Sequence, residues 1–420
     1  MSTFRNLVQA VTDGVTPPRW RHIPSQSLAE LAGSIIAAEG FDQVRSFASA
    51  FWEAYQVADQ TARIEMFEYL SSELDLDIPL IRAKLDVLEH DMSSKALQEF
   101  ASVSEAPRRE LFRRLNQARN GTHSLVRMRQ DLRSLLKDNP DLSRVDSDLK
   151  FLLRAWFNLG VLELRPLNWS SPANVLEKLI KYEAVHQIDS WAALRQRTEP
   201  ADRRCFGYFH PAMPDEPIIF VQVALGPEVP NAIAGILTHD REVCPPEDAK
   251  VATFYSISNC QDGLAGISFG NFLIKQVVKF LQLEFEGLET FVTLSPIPGL
   301  SNWASDVFAS DSFASDPLAV QQAAAYFLTE IKGRGQEPAD PVARFHLSNG
   351  ARIHAVHADA DLSEKGVSQS YGAMVNYLYE LPEISKNHHD FATDGRIVRS
   401  KPVTQLASAA AQKISQIAAE

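Results

Sequence analysis

The sequence contains few cysteines, and their arrangement indicates neither a disulfide framework nor a metal site. Cys205, Cys244 and Cys260 occur in a chain of 420 residues, and no two of them form a CxxC pair. An odd number of widely spaced cysteines fits poorly with a set of structural disulfides. We therefore expect reduced structural thiols in a cytoplasmic protein.

Long apolar runs are also missing from the sequence. No segment approaches the roughly 20 apolar residues that a helix needs to cross a bilayer. Asp13 and the pair Pro17-Pro18 interrupt the N-terminal segment, so neither membrane association nor a secretory signal is predicted. The C-terminal sequence SQIAAE differs from the peroxisomal signal Ser-Lys-Leu.

Acidic residues outnumber basic residues, 53 to 41. The formal net charge is −12, which argues against nucleic-acid binding because such proteins carry a basic surface. An anionic ligand would therefore have to be held by local positive charge or by backbone dipoles.

The length and composition indicate a globular protein with two domains. Hydrophobic residues make up 45% of the chain and charged residues 22%, and single cores stop growing near roughly 250–300 residues. We predict a helical domain over residues 1–165, used for packing or oligomerisation, and a second domain over residues 166–420 that carries the functional residues.

Apolar residues recur at helical spacing through the first of these domains. Helices are predicted over residues 26–39, 44–70, 78–88, 108–115, 124–137 and 142–159. The arginines at positions 108, 109, 113 and 114 are expected to form an exposed helix face. We interpret the segment as a helical bundle without chemistry of its own.

Strand patterns appear after residue 166, so the fold class is predicted to be α+β. The predicted strands cover residues 204–210, 217–225, 251–259 and 290–294, and a hairpin is predicted over 343–347 and 351–356 around Ser348-Asn349-Gly350. The predicted helices cover residues 174–183, 272–285, 318–331, 372–379 and 403–418. Helix 272–285 and the strands that flank it form a βαβ-like unit.

A glycine-rich loop precedes helix 272–285. Gly263, Gly266 and Gly270 would let the backbone approach a ligand closely, and the helix start would present unpaired N–H groups to a phosphate. The loop lacks the Lys-Ser/Thr of a P-loop and is no dinucleotide fingerprint. A phosphate-bearing ligand such as coenzyme A fits better, and a flexible turn without a ligand is the alternative.

Two side chains in the second domain are candidates for chemistry. Ser295 lies between the end of an apolar strand and Pro296, where it is either a presented hydroxyl or an ordinary turn serine. His346, placed on a predicted strand, is the best available proton shuttle or else a buried core group. No G-x-S-x-G motif indicates a hydrolase nucleophile.

The remaining candidates favour structural roles. Tyr377 and Tyr379 lie close together in the sequence NYLY and could act chemically or simply pack in a helix. His354 and His357 fall at the end of a predicted strand without the spacing of a metal site, and His388-His389 is expected in a solvated loop. No metal is therefore predicted.

Four segments resemble the malonyl-CoA decarboxylase family. They cover residues 203–225 (RRCFGYFHPAMPDEPIIFVQVAL), 254–278, 293–299 (TLSPIPG) and 345–381. The resemblance implies a helical N-terminal domain followed by a GNAT-type domain with a mixed sheet, which holds the coenzyme A pyrophosphate on backbone amides. It places the catalytic residues on Ser295, His346 and Tyr379. It places the ligand loop on Ala265, Gly266, Ile267, Ser268, Phe269, Gly270 and Asn271. Ser268 stands where the animal branch has a glutamate.

The implied reaction converts malonyl-CoA to acetyl-CoA and carbon dioxide. It needs no metal or organic cofactor, because the thioester itself accepts the electrons as an enolate whose oxygen requires fixed donors. We expect His346 to donate the proton, Ser295 to be its hydrogen-bonding partner and Tyr379 to orient either one, with Lys275 as an additional charge. The family analogy also suggests a homo-oligomer, a dimer or tetramer.

Two other functions stay open at this point. A GNAT-type acyltransferase would use the same loop with an amine acceptor, and a catalytically silent coenzyme A-binding scaffold would leave malonyl-CoA unchanged.

Overall fold

A computed structural model describes residues 26–158, 160–267, 272–308 and 313–417. The chain divides into two compact units, the first ending at Leu153 and the second beginning at Arg154. The assignment of residues 1–165 to packing and of residues 166–420 to chemistry stays a prediction. Within the described ranges, no helix combines the length and apolar character needed to span a bilayer.

The first unit is helical, as predicted. Its helices are α1 (Leu28–Ala37), α2 (Phe41–Val57), α3 (Gln60–Ser72), α4 (Ile78–His90), α5 (Ser94–Val103), α6 (Pro107–Leu115), α7 (Gly121–Leu135) and α8 (Ser143–Trp156). Their apolar faces meet in a core that includes Phe51, Phe67 and Phe112. The predicted helix 44–70 is wrong in one respect, because Asp59 ends it and caps α3 by accepting a hydrogen bond from Ala62 N at 2.9 Å.

The four arginines of α6 do not form the predicted exposed face. Arg108 is buried, and its guanidinium contacts Asp148 at 2.6 Å and Asp75 at 2.7 Å. Arg114 donates to backbone carbonyls at the C-terminal end of α1, including Ala38 O at 2.8 Å. Arg109 and Arg113 also form ion pairs with the nearby Glu105, so carboxylates and carbonyls partner all four side chains.

The second unit is built on one mixed sheet. Its strands are β1 (Glu163–Leu167), β2 (Arg203–His210), β3 (Met213–Gly226), β4 (Val251–Asn259), β5 (Thr290–Thr293), β6 (Ser295–Pro296), β7 (Arg352–His357) and β8 (Met374–Leu378). The strand order is β1-β2-β3-β4-β5-β8-β6, and β7 also pairs with β8. The pairs are antiparallel except β4 with β5, which are parallel. The predicted α+β architecture is thereby confirmed.

Helices surround this sheet. They are α9 (Ala173–Tyr182), α10 (Trp191–Thr198), α11 (Ala234–Leu237), α12 (Phe272–Glu284), α13 (Leu300–Val307), α14 (Pro317–Glu330), α15 (Pro341–Ser348), α16 (Glu364–Ser370), α17 (Ile384–Asp394) and α18 (Lys401–Ile417). Helix α12 connects β4 to β5, which confirms the predicted βαβ unit. Cys205 and Cys260 are free thiols buried in a core cluster against α9 and α10.

The predicted hairpin over 343–356 is wrong in its first half, because residues 341–348 form helix α15. Asp340 caps the helix by accepting a hydrogen bond from Ala343 N at 2.7 Å, and Pro341 occupies its first turn. Gly350 follows the helix with φ +81°, so the Asn-Gly pair ends a helix and does not turn a hairpin. His346 therefore lies on a helix.

Two further predictions near the C-terminus are also wrong. Residues 372–379 were expected to be helical, but Met374–Leu378 is strand β8, which lies between other strands of the sheet. A short apolar run cannot be assigned to strand or helix by periodicity alone. His388 and His389 lie on helix α17 and not in a loop, and His388 Nδ1 contacts Ser348 O at 2.6 Å.

The sheet opens between β4 and β5. These strands pair from Val251–Thr290 to Phe254–Thr293, after which β4 continues to Asn259. After β5 the backbone turns away from β4 and forms β6, which pairs with β8 instead of β4. A gap therefore lies beside the second half of β4.

Candidate active site

A cavity of about 220 Å³ occupies the gap between β4 and β6, and we call it the site cavity. The second half of β4 and both turns of α15 line it. Its apolar lining includes Ile219, Phe254, Val342 and Phe345, and its polar lining includes Ser256, Asn259, Ser295 and His346. The cavity thus contains two of the three predicted catalytic side chains.

Ser295, His346 and Tyr379 form one line of hydrogen bonds. Ser295 Oγ lies 3.2 Å from His346 Nε2, and His346 Nδ1 lies 2.8 Å from the Tyr379 hydroxyl. Their exposed fractions are 6%, 3% and 2%. Ser295 begins β6, His346 is in the last turn of α15 and Tyr379 directly follows β8, so three separate elements bring these side chains together.

Burial controls the protonation of this line. Desolvation lowers the pKa of His346 to about 3, so the imidazole is neutral at neutral pH. Burial raises the pKa of Tyr379 well above its ordinary value, so the phenol keeps its proton. The His346 ring stacks on Tyr377 with centroids 4.5 Å apart, which fixes the plane of the imidazole.

The hydrogen bonds indicate which nitrogen carries the proton. The buried Tyr379 hydroxyl needs an acceptor, and His346 Nδ1 is the partner that the described residues provide. Nδ1 then accepts from Tyr379, which leaves the proton on Nε2, and Nε2 donates to Ser295 Oγ. The Ser295 hydroxyl in turn donates to Thr293 Oγ1 at 2.9 Å. The protons therefore point in one direction from Tyr379 to Thr293.

A buried carboxylate supports the part of the site cavity that Val185 and Ser256 form. Glu183 accepts hydrogen bonds from Val185 N at 2.8 Å, His186 N at 2.9 Å and the Ser256 hydroxyl at 2.8 Å. Gln222 Nε2 donates to the same carboxylate at 2.5 Å. Because Val185 and Ser256 line the cavity, Glu183 fixes the position of two lining residues.

The predicted ligand loop is described in part. Ala265, Gly266 and Ile267 lie between a 3-10 turn and helix α12, and Gly266 has φ +73°, which favours glycine. Ser268, Phe269, Gly270 and Asn271 lie outside the described residues. The start of α12 is anchored because the buried Tyr208 hydroxyl donates to Leu273 O at 2.6 Å. Phosphate binding at this loop stays a prediction.

Sequence reasoning missed several residues around the site. Thr293 lies behind Ser295, and its carbonyl accepts a hydrogen bond at 2.7 Å from the amide of Asn376, which the sequence NYLY had placed beside the two tyrosines. Glu183 ended a predicted helix without any pattern that distinguished it. The only sequence signal for Thr293 was its position two residues before Ser295, which places both side chains on the same face of an extended segment. Among the described residues, no cluster of His, Cys, Asp and Glu side chains is placed to hold a metal.

Two family models match the chain. One, described as "Malonyl-CoA decarboxylase C-terminal domain", matches residues 160–316 and 311–417. The other, described as "Malonyl-CoA decarboxylase N-terminal domain", matches residues 77–157. Among curated proteins, the mitochondrial malonyl-CoA decarboxylase of Mus musculus is 33% identical over 352 residues, which are 71% of this chain and 70% of that protein.

Solved structures give the same result. The malonyl-CoA decarboxylase of Rhodopseudomonas palustris is 39% identical with a TM-score of 0.85, over 91% of this chain and 100% of that chain. The malonyl-CoA decarboxylase of Agrobacterium vitis is 40% identical with a TM-score of 0.85, over 91% of this chain and 99% of that one. The similarity therefore extends over both predicted domains.

Proposed function

The chain belongs to the malonyl-CoA decarboxylase family, and from this membership we propose that it is a carboxy-lyase that converts malonyl-CoA to acetyl-CoA and carbon dioxide. The observation that carries the proposal is the line Ser295–His346–Tyr379 at the wall of the site cavity. An imidazole N–H and a hydroxyl meet there, and the N–H suits an enolate oxygen that needs a donor and a carbon that needs a proton.

The cavity lining supports loss of a carboxylate. Ile219, Phe254 and Phe345 give it apolar walls, and among the described residues that line it there is no lysine or arginine. A carboxylate in this cavity would lose its hydration without gaining a fixed cation. Departure as neutral carbon dioxide relieves that desolvation, so the lining favours decarboxylation over stable binding of the acid.

We assign the proton transfer to His346. The bound malonyl thioester is anionic, and its charge persists as the enolate after carbon dioxide leaves. A negative charge close to the imidazole raises its pKa, which counteracts the desolvation that keeps His346 neutral in the free protein. His346 then takes up from solvent the proton that the reaction consumes, transfers a proton to the carbon and returns to its neutral form, while Ser295 contacts the acyl group and Tyr379 holds Nδ1.

The nucleotide end of the substrate is assigned to the loop before α12. Strand β4 lines the site cavity as far as Asn259, and the chain then reaches Ala265 through the 3-10 turn Asp262–Leu264. A pantetheine arm that follows β4 would connect the acyl end to amides at the helix start, where the dipole favours a pyrophosphate. Lys275, in the first turn of α12, would add charge.

The test is direct. Purified protein is mixed with malonyl-CoA without metal or ATP, and acetyl-CoA and carbon dioxide are measured over time. Formation of both products in equal amounts is expected. Acyl transfer to an added amine without carbon dioxide would instead indicate an acyltransferase, and unchanged malonyl-CoA would indicate a coenzyme A-binding scaffold.

We further propose that the protein forms a homo-oligomer through its helical unit. Helix α4 has no buried residue, although it carries Ile78, Leu80, Leu85 and Val87, which are at least 42% exposed. A second copy of the chain would cover this apolar surface. Light scattering coupled to size-exclusion chromatography should give a dimer or tetramer mass, and Leu85→Lys should lower that mass.

A cytoplasmic location is proposed as well. The three free cysteines suit a reducing compartment, whereas the curated relatives from Mus musculus and Rattus norvegicus are named as mitochondrial. Fractionation of the cells that produce the protein, followed by detection with an antibody, would distinguish the two.

A further inference from the structure

We propose that Thr293 is a positioning residue, which fixes the direction of the Ser295 hydroxyl and thereby the tautomer of His346. The expected loss of turnover rests on the proposed decarboxylation, whereas the expected change of tautomer does not. It assigns a role to a side chain that lies behind the site cavity and does not line it.

Thr293 is fully buried at the end of β5, one residue away from the strand that carries Ser295. Its hydroxyl oxygen accepts two hydrogen bonds, from the Ser295 hydroxyl at 2.9 Å and from Tyr377 N at 3.1 Å. A hydroxyl oxygen has two acceptor positions, so both are used. The Ser295 proton is therefore directed away from the cavity, and its oxygen is presented to His346 Nε2.

The acceptor itself is held rigidly. Asn376 Nδ2 donates to Thr293 O at 2.7 Å, and β8 supplies both Asn376 and the Tyr377 N–H that reaches Thr293 Oγ1. The strand that holds Thr293 also anchors the other end of the line, because Tyr379 N donates to Phe291 O at 2.9 Å. Strands β5 and β8 thus set the spacing between the serine hydroxyl and the tyrosine phenol.

Without the Thr293 acceptor, the Ser295 hydroxyl can rotate and donate to His346 Nε2. The imidazole would then carry its proton on Nδ1, facing the Tyr379 hydroxyl. The proton of Tyr379 would lose its acceptor. Two arrangements would become populated where the wild-type chain favours one. Only the arrangement with the proton on Nε2 has a donor on the side of the ring that faces Ser295.

The test compares Thr293→Val with Thr293→Ser. Valine keeps the shape of threonine but removes the acceptor, whereas serine keeps the acceptor and loses a methyl group in a fully buried position. Both variants are expected to lower the melting temperature. A purely structural role predicts that activity follows stability, whereas a positioning role predicts that activity follows the hydroxyl group.

We expect Thr293→Val to lower kcat by about tenfold or more with little change in KM, because misplaced reacting groups reduce rate more than binding. Thr293→Ser should keep kcat within about twofold of wild type. Thr329→Val is the matched control, since Thr329 is a buried threonine of α14 whose hydroxyl donates to Ala325 O at 2.8 Å. Near-normal kcat in Thr293→Val, or equal losses in both Thr293 variants, would overturn the proposal.

A second measurement does not depend on activity. Nitrogen NMR of histidine-labelled protein distinguishes the two imidazole tautomers, and His346→Asn identifies the resonance. Wild type and Thr293→Ser should show the proton on Nε2, and Thr293→Val should show a mixture. An unchanged tautomer in Thr293→Val contradicts the proposal even if the wild-type protein fails to decarboxylate malonyl-CoA, an outcome that would contradict the proposed function alone.

Discussion

At the scale of single residues, the chemistry of the site depends on burial more than on charge pairs. His346 is neutral because it is desolvated, and its hydrogen-bond partners are the uncharged groups of Ser295 and Tyr379. This line of three uncharged side chains can accept an anionic substrate without first breaking an ion pair. The hydroxyl and the imidazole should therefore both be needed for turnover and dispensable for folding.

Removing either group should lower turnover strongly. Ser295→Ala and His346→Asn are each expected to reduce kcat by on the order of 10²–10³, because His346→Asn removes the donor to the developing oxyanion and Ser295→Ala removes the oxygen that orients that donor. Steady-state kinetics measures the loss, and circular dichroism checks that the fold is retained. Either variant with near-normal turnover would remove that residue from the mechanism.

The buried imidazole also predicts how stability depends on pH. The pKa of His346 is about 3 in the folded protein against an ordinary value of 6.5. Below pH 6.5 the unfolded chain binds a proton that the folded protein does not, so stability falls as pH decreases, by about 1.4 kcal/mol per unit. His186, whose pKa burial lowers to about 4, contributes in the same direction.

His346→Asn removes one of these two contributions. Between pH 7 and pH 5, its free energy of unfolding should decrease by about 2 kcal/mol less than that of wild type. Denaturant titrations at the two pH values measure the difference, and His186 serves as an internal reference because it titrates in both proteins. Equal decreases in the two proteins would show that His346 is not buried in the neutral form.

At the scale of elements, the site depends on where α15 ends. Gly350 has φ +81°, and a Cβ atom there would lie 2.2 Å from Ile384 O. The residue therefore ends the helix that carries His346 and lets α17 approach closely. Gly350 explains why Asn-Gly ended a helix here, although the same pair is typical of hairpins.

Gly350→Ala should destabilise the protein by more than about 1 kcal/mol, because alanine is strained at this φ and clashes with a backbone carbonyl. It should also lower kcat, since the last turn of α15 must shift. Gly235→Ala is the control, as a Cβ atom at Gly235 meets nothing within 4 Å. Thermal unfolding and kinetics of the two variants test the prediction, and equal behaviour would contradict it.

The local sequence predicted most elements but not all of their types. Periodicity indicated most helices of the first unit, although it joined α2 to α3 and missed α5. The alternating, β-branched segments correctly indicated β2, β3 and β4. Periodicity failed at α15 and β8, which are short and apolar. The Asp340-Pro341 pair is a helix-start signal that could have corrected the first error. Nothing local could have corrected the second, because neighbouring strands on both sides determine the conformation of β8.

At the scale of the whole molecule, each of the two units has its own stabilising core. In the first unit, Arg108 links Asp75 and Asp148 in a mostly buried ion network, with 4% of the Arg108 side chain exposed. Breaking such a network leaves carboxylates without a partner, which is strongly unfavourable. The interior of this unit therefore includes charge that the net value of −12 does not reveal.

Arg108→Ala should lower the free energy of unfolding by about 3–5 kcal/mol. Arg144→Ala is the matched control, because Arg144 contacts the same Asp75 at 3.0 Å while 73% of its side chain is exposed. The control should lose less than about 1 kcal/mol. Denaturant unfolding of both variants measures the difference. Similar decreases in the free energy of unfolding would mean that the Arg108 network is effectively solvated.

The sequence alone determined the helical first unit, the βαβ unit and, through the resemblance, which hydroxyl, imidazole and phenol to consider. These features depend on neighbouring residues, whose spacing fixes backbone conformation. Only the tertiary structure decided that the sheet opens after Phe254 and that Thr293 and Glu183 support the cavity walls. Ser295 and His346 are 51 positions apart, and His346 and Tyr379 are 33 apart. Their contacts and protonation follow from long-range packing and desolvation, which no local pattern encodes.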